Sequence, residues 1–255
     1  AAQVDRFASI ASTVAPRELV MGRVRKGGAP IFKASTGRDS QDLYIVYAIA
    51  AHEIDAVEEI WLNDTLVTLD VDGNVTTAPW ARDVTTTARV LAGGPYVDGY
   101  IPSRIVPEYT TNGDGDQVET GYEVYQYTTT DSYCKVWWHL GAAGQAVDSA
   151  LTAAFPTDWP STHVGDGIAY LVVQQTYNET AFPTGAVRVT AVVRGAKLYD
   201  PRTGLTEWSE NPALMMRHIY QHAKFGKATV STAEDDRFIV AANICDASTV
   251  YTVDG

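Results

Sequence analysis

The tightest constraint on this chain lies between residues 192 and 247, where the spacing of its apolar residues changes character. Val187, Val189, Ala191 and Val193 fall on every second position, one face of a strand that ends at Arg194-Gly195. Asp200-Pro201-Arg202-Thr203-Gly204 then supplies proline and glycine where a chain reversal needs them. Asn211-Pro212 reads as a helix start: the Asn side chain can accept the first free backbone N–H groups, and proline's missing N–H would have been unpaired there. Met216, Ile219, Tyr220 and Ala223 share a face of this predicted helix, and Gly226 closes it. A second helix opens at Ser231-Thr-Ala-Glu234, a capping box, and is expected to bury Phe238, Ala241, Ala242 and Cys245.

Upstream, strand signals dominate. Residues 1–16 have no sustained period and read as an extended arm, and residues 17–25 as a strand bent at Gly22. Gly27-Gly28 marks a turn; a phosphate loop would need a following Gly-Lys-Ser/Thr and a helix, and has neither. Residues 43–50 form a continuous apolar run, the mark of a strand covered on both faces. Asn63-Asp64 and Asp72-Gly73 mark two successive hairpins. Residues 76–131, rich in Thr, Tyr, Gly and Pro, read as a β-rich insertion. Residues 132–140 alternate, with Cys134, Val136, Trp138 and Leu140 on one face and Tyr133, Lys135, Trp137 and His139 on the other. Residues 141–155 give a short helix through Val147, Ala150, Leu151 and Ala154. The expected fold class is α+β, mainly β: an arm over 1–16, a β-rich domain over 17–200 with its insertion at about 76–131, and a helix pair over 201–255. Residues 249–255 read as the first strand after a helix, so the chain is expected to belong to something longer.

Composition narrows the function. With 45% hydrophobic residues in 255, the chain can bury a proper core. No apolar run approaches the ~20 residues that cross a bilayer, and the first residues lack the layout of a secretory signal. Cys134 and Cys245 are the only cysteines, too few for a thiolate cluster, and both read as buried free thiols. A net charge of −12 opposes ordinary nucleic-acid binding, which needs cations to neutralise phosphates. The same charge suits a wall past which DNA slides without sticking.

Several patterns invite chemistry and fall short of it. His52-Glu53 begins a zinc-protease motif, but Ala56 stands where the second histidine is required. Asn112, Asp114, Asp116, Thr120 and Glu123 match the spacing of a calcium loop, yet Gln117 replaces the turn glycine and the flanks read as strands, so a hairpin tip is preferred. His218 and His222 are one helical turn apart with no third ligand in view, which makes a surface pair. Trp137 is weighed as a sugar-stacking platform against subunit or insertion packing, and packing is preferred; His139 alone is a packing or surface residue. No catalytic, cofactor-binding or metal-binding residue is assigned, and the residues alone point to a structural or interaction protein.

The run Val193-Arg194-Gly195, Lys197-Leu198-Tyr199-Asp200-Pro201-Arg202-Thr203-Gly204 and Trp208-Ser209-Glu210-Asn211-Pro212-Ala213-Leu214 resembles the central tail-hub, or tail-tip attachment, proteins of lambda-like siphophages. The likeness continues upstream in His52-Glu53-Ile54-Asp55-Ala56-Val57-Glu58-Glu59, with Ala51 where the family has glycine. It returns in His139-Leu140-Gly141, Gln145-Ala146-Val147-Asp148, Leu151, Trp159, His163, Gly167-Ile168-Ala169-Tyr170-Leu171 and Phe182-Pro183-Thr184-Gly185. It spans residue 17 to the end with a gap in the insertion. The resemblance implies a hub β-barrel domain with the helix pair starting a further hub domain. It also implies a virion protein, made in the bacterial host cytoplasm and assembled at the tail tip as a homotrimeric ring without enzymatic activity or cofactor. Implied partners are copies of itself, distal tail and other tail-tip proteins, the tape-measure protein, and DNA passing through without sequence-specific binding. A host receptor would be met through regions beyond residue 255. Two other classes are in play: a host-surface carbohydrate- or receptor-binding module, and a hydrolase, for which the sequence shows neither paired carboxylates nor a Cys/His grouping.

Overall fold

A strand that buries one face alternates and a strand that buries both does not, so the apolar residues decide how the sheets must stack. The computed structural model describes residues 18–91, 104–106, 109–111, 113–119, 122–223 and 226–247. Its strands run, in chain order, β1 (Arg23–Lys26), β2 (Ala29–Thr36), β3 (Asp42–Ala50), β4 (Ala56–Leu62), β5 (Thr65–Val67) and β6 (Ala81–Leu91). They continue with β7 (Arg104–Val106), β8 (Tyr109–Thr111), β9 (Gln117–Glu119), β10 (Tyr122–Ser132), β11 (Cys134–His139) and β12 (Ala169–Thr176). Last come β13 (Val189–Arg194), β14 (Lys197–Asp200) and β15 (Leu205–Trp208), with helices α1 (Ser149–Ala154), α2 (Pro212–Gln221) and α3 (Thr232–Asp246).

Two antiparallel four-stranded sheets, ordered β1-β13-β4-β5 and β11-β12-β3-β2, form the body. Between them Ile45, Tyr47 and Ile49 of β3 and Leu171 and Val173 of β12 meet Ile60 and Leu62 of β4 and Val189, Ala191 and Val193 of β13. The other face of the second sheet, with Tyr44, Val46, Tyr170 and Val172, lies against Leu151, Phe155 and Trp159 of the α1 region. β3 is therefore covered on both faces, as its unbroken apolar run requires. The outer face of the first sheet is polar: Arg23 reaches Glu58 and Glu59, and the Arg25 guanidinium lies 4.0 Å from the centre of the Trp61 ring.

The expected closed barrel is not found among the described residues. No strand of one sheet pairs with a strand of the other; the chain simply changes sheet at Gly27-Gly28. The change is tight, since a Cβ on Gly28 would sit 2.7 Å from the Tyr47 Cβ and 2.8 Å from the Ala48 carbonyl oxygen. Residues 73–75 border β11 instead, through Val136 N–H to Gly73 O and Val75 N–H to Cys134 O.

The two predicted hairpins are present. Asn63 and Asp64 both adopt positive φ (46° and 65°), the backbone a two-residue β4–β5 reversal needs. Asp70 accepts the N–H groups of Asp72 and Asn74 in the second. The insertion is a β6–β10 ribbon joined by β7, with β8–β9 as a separate hairpin; Trp80 and Ala81 root it in the body. The calcium-loop reading cannot be followed through, because Asn112 and Thr120 lie outside the described residues, as do residues 1–16 and 249–255.

Three helical expectations need correction. The first helix occupies only Ser149–Ala154, because Gly141 and Gly144 upstream have φ of 82° and 69° and cannot be helical. In α2 the buried residues are Leu214 and Arg217, whereas Met216 and Tyr220 are exposed; a salt-bridged arginine faces inward, a choice apolar periodicity does not anticipate. The helix also ends before Gly226, with His222 as its cap. In α3 Ala242 is fully buried but Cys245 is exposed, so only Cys134 is a buried thiol, pushed up to about 12 by burial. The Ser231–Glu234 capping box is present.

Candidate functional site

The residues that carried the resemblance come together at the joint between the sandwich and the helices. Strand β13 ends at Arg194, whose guanidinium reaches Asp55 at 2.8 Å and lies 5.0 Å from the Trp208 ring. Gly195 follows because nothing larger fits: a Cβ there would run into the Val20 carbonyl and come 2.7 Å from the Met21 Cα. Its N–H bonds Gly22 O at 2.8 Å, and the Ala196 N–H bonds Val20 O at the same distance. Lys197 pairs with Glu53 at 3.0 Å. Ala196, Leu198, Leu214 and Ala242 close a small apolar core, with Met21 and Met215 against it.

The Asp-Pro-Arg-Thr-Gly turn and the Asn-Pro helix start do one job together. Asp200 caps its own turn, accepting Arg202 N–H at 2.8 Å, and holds the Arg202 side chain in a two-nitrogen clasp. Arg202 then reaches Asp246 at 2.6 Å, which ties the turn to the end of α3. Its hydrogen bond holds the Asp200 carboxyl below the usual range, and Asp246 is lowered likewise by Arg202 and then Asn211. Asn211 caps α2 through Ala213 N–H and Leu214 N–H, and its amide donates to Ala242 O at 2.9 Å and Asp246 at 2.7 Å. Buried Arg217 bridges the helices through Asp235 at 2.7 Å, with the Tyr199 ring 4.7 Å from its guanidinium. Asp200, Arg202 and Asn211 are thus spent on fixing the hairpin to the helices.

Three histidines gather beside this joint. His52 Nε2 accepts the Val20 N–H at 2.8 Å and its Nδ1 lies 2.6 Å from the Glu53 carbonyl. The His218 and His222 rings are 5.8 Å apart at the end of α2, and burial, then the charges of His222 and His52, lowers the proton affinity of His218. Backbone groups occupy both nitrogens of His52, and the described residues contain no set able to hold a metal ion.

A second candidate is an open cleft of about 390 Å³ beside β11, lined by Trp138, Lys135, His139, Gln174 and Asp72 among others. Its floor is Asp148, the α1 cap, which is buried and accepts the Trp137 indole N–H at 2.5 Å, His139 at 3.0 Å and Leu151 N–H at 2.8 Å. Burial would raise this carboxyl, yet the hydrogen bonds from His139, Leu151 and Trp137 outweigh it and hold it low. His139 stacks on Tyr170 with ring centres 4.6 Å apart. The Trp137 ring packs within the body, on Asp148 and edge-on to Tyr44, while Trp138 is the one with an exposed face. The sequence reading missed Asp148 as an anchor, although an Asp directly before Ser-Ala-Leu is a helix-cap signal.

No family model matches the chain, and no curated protein matches it. Among solved structures it is similar to a chain from the virion of a native gene transfer agent particle, with a TM-score of 0.38 and 13% identity. The alignment covers 91% of this chain and 36% of that one, so the present chain spans little more than a third of its neighbour's length.

Proposed function

We propose that this chain is a structural component of a long-tailed phage-like virion, part of the tail-tip hub. In this reading three copies form a ring that closes the tail tube, grips distal tail, tail-tip and tape-measure proteins, and lets DNA pass when the particle delivers its genome. Host recognition then belongs to other parts of the tail tip. The observation that carries the reading is the joint. The residues shared with tail-hub proteins, Arg194 to Leu214, are consumed in a charged clasp between hairpin, helices and sandwich, which is a load-transmitting role and not a catalytic one. The acidic chain, with a net charge of −12, suits a conduit wall that DNA must not adhere to.

Light scattering of the purified chain at micromolar concentration tests this. Three times the 27.7 kDa chain mass supports a ring. A monomer at all concentrations, with no affinity for distal tail proteins, counts against it.

The cleft beside β11 favours a second reading, a host-surface carbohydrate module, since Trp138 offers a ring face next to Lys135, Gln174 and Asp72. Glycan-array binding that Trp138→Ala abolishes would move the assignment to this reading.

A further inference from the structure

We propose that the joint between the sandwich and the helix pair is a proton-sensitive latch, in which protonation of His52 and His218 releases α2 from the segment Val20 to Gly22. The geometry at His52 sets the requirement. A backbone N–H can only donate, so the 2.8 Å contact from Val20 N–H fixes Nε2 as an acceptor, and the ring proton sits on Nδ1 facing Glu53 O at 2.6 Å. Both nitrogens are satisfied only in the neutral ring. A proton added at Nε2 would set two donors against each other and break the bond to Val20.

That bond matters because the Val20–Gly22 segment is the strap beneath the helices. Its other side accepts Ala196 N–H at Val20 O, and both Gly195 N–H and the Trp208 indole at Gly22 O. Met21 packs with Met215 against the small helical core, and a Cβ on Gly22 would meet the Met215 Cε at 2.7 Å. Losing the His52 anchor therefore loosens the surface on which α2 rests.

His218 acts in the same sense. Its ring lies 5.8 Å from that of His222 at the end of α2, and burial, then the charges of His222 and His52, disfavour its protonated form. The other charges at the joint are committed to partners of their own. Lys26, lowered to about 8 by burial, adds positive charge beside His52 and is held by Glu18 and the Ile49 carbonyl. Glu53 is matched to Lys197, Asp55 to Arg194 and Asp235 to Arg217.

Burial, the largest cause, lowers the proton affinity of both His52 and His218 in the folded chain. The unfolded or unlatched state then binds more protons, so the latch is fully closed above the ordinary histidine value of about 6.5 and weakens as pH falls below it.

Hydrogen exchange read by mass spectrometry at about pH 7.5 and about pH 5.5 tests the latch, after correction for intrinsic rates. The expected result is several-fold faster exchange of α2 and residues 19–22 at the lower pH, with β3 and β12 unchanged. In the variant H52Q/H218Q, where the new amide oxygen at position 52 can still accept Val20 N–H, the acceleration is expected to vanish. Equal acceleration in that variant, no acceleration in the wild-type chain, or acceleration spread evenly over β3 and β12 each overturn the proposal. Should the double variant fold poorly, NMR titration of the two histidines in the wild-type chain decides. An exchange midpoint matching theirs supports the latch, and a midpoint well removed from both overturns it.

Discussion

The sandwich and the helix pair are held together by different physics. Between the sheets an apolar layer from β3, β4, β12 and β13 excludes water. Among the described residues the helix pair closes over four buried apolar residues, Ala196, Leu198, Leu214 and Ala242, and depends on Asp200, Arg202, Asn211, Arg217, Asp235 and Asp246 for its alignment. Apolar burial is indifferent to direction, whereas a clasp of charged hydrogen bonds fixes orientation. The difference teaches that the sandwich supplies stability and the joint supplies geometry.

The sharpest contrast comes from the core. Leu171→Ala, at a side chain only 1% exposed, is expected to cost about 2–5 kcal/mol and to lower the denaturation midpoint of the whole chain. Gly195→Ala should cost about 1–3 kcal/mol, because its Cβ meets the backbone at Val20 and Met21 and the strap must shift. Hydrogen exchange should place that loss at residues 19–22 and α2, and a loss spread through β12 would break the comparison. Asn211→Ala removes a cap and the bond to Ala242 O, for about 0.5–2 kcal/mol. Exchange in α2 and α3 should rise together while the sheets hold.

The α1 anchor gives a test by acid. The Asp148 carboxyl is held low when folded, so its contribution is complete above the ordinary carboxylate value of about 4 and is lost as pH falls through the lower folded value. Asp148→Asn should therefore flatten the acid limb of the stability curve, and an unchanged limb would show that the hydrogen bonds there do not favour the charged form. The smallest effect belongs to the outer face of the first sheet. Arg188→Ala breaks a surface pair with Asp64 and is expected to cost about 0–1 kcal/mol, a difference that salt removes.

Much of this was legible because local rules governed it. The β13 alternation, the doubly covered β3 run, the Asn63-Asp64 reversal, the Asn211 cap and the Ser231 capping box all follow from chemistry within a few residues. What escaped was decided across the fold. Arg217 is buried because Asp235 on the other helix waits for it, and Met216 and Tyr220 are exposed as a result. That His52 comes to anchor the Val20 backbone, 32 residues away, is decided across the fold as well. Barrel closure likewise depends on pairing between strands distant in sequence, which no periodicity reports. The motif was readable as a likeness, but its mechanical role appears only once Asp200, Arg202, Asn211 and Asp246 stand together.

The central claim, that this chain is an assembly component at the end of a tail tube, is tested most directly by its copy number and position in intact particles. Quantitative mass spectrometry of purified virions, with electron cryo-microscopy of the tail end, should find three copies arranged in a ring on the tail axis. Absence of the chain from purified particles, or a position off the axis in any other number, would contradict the account.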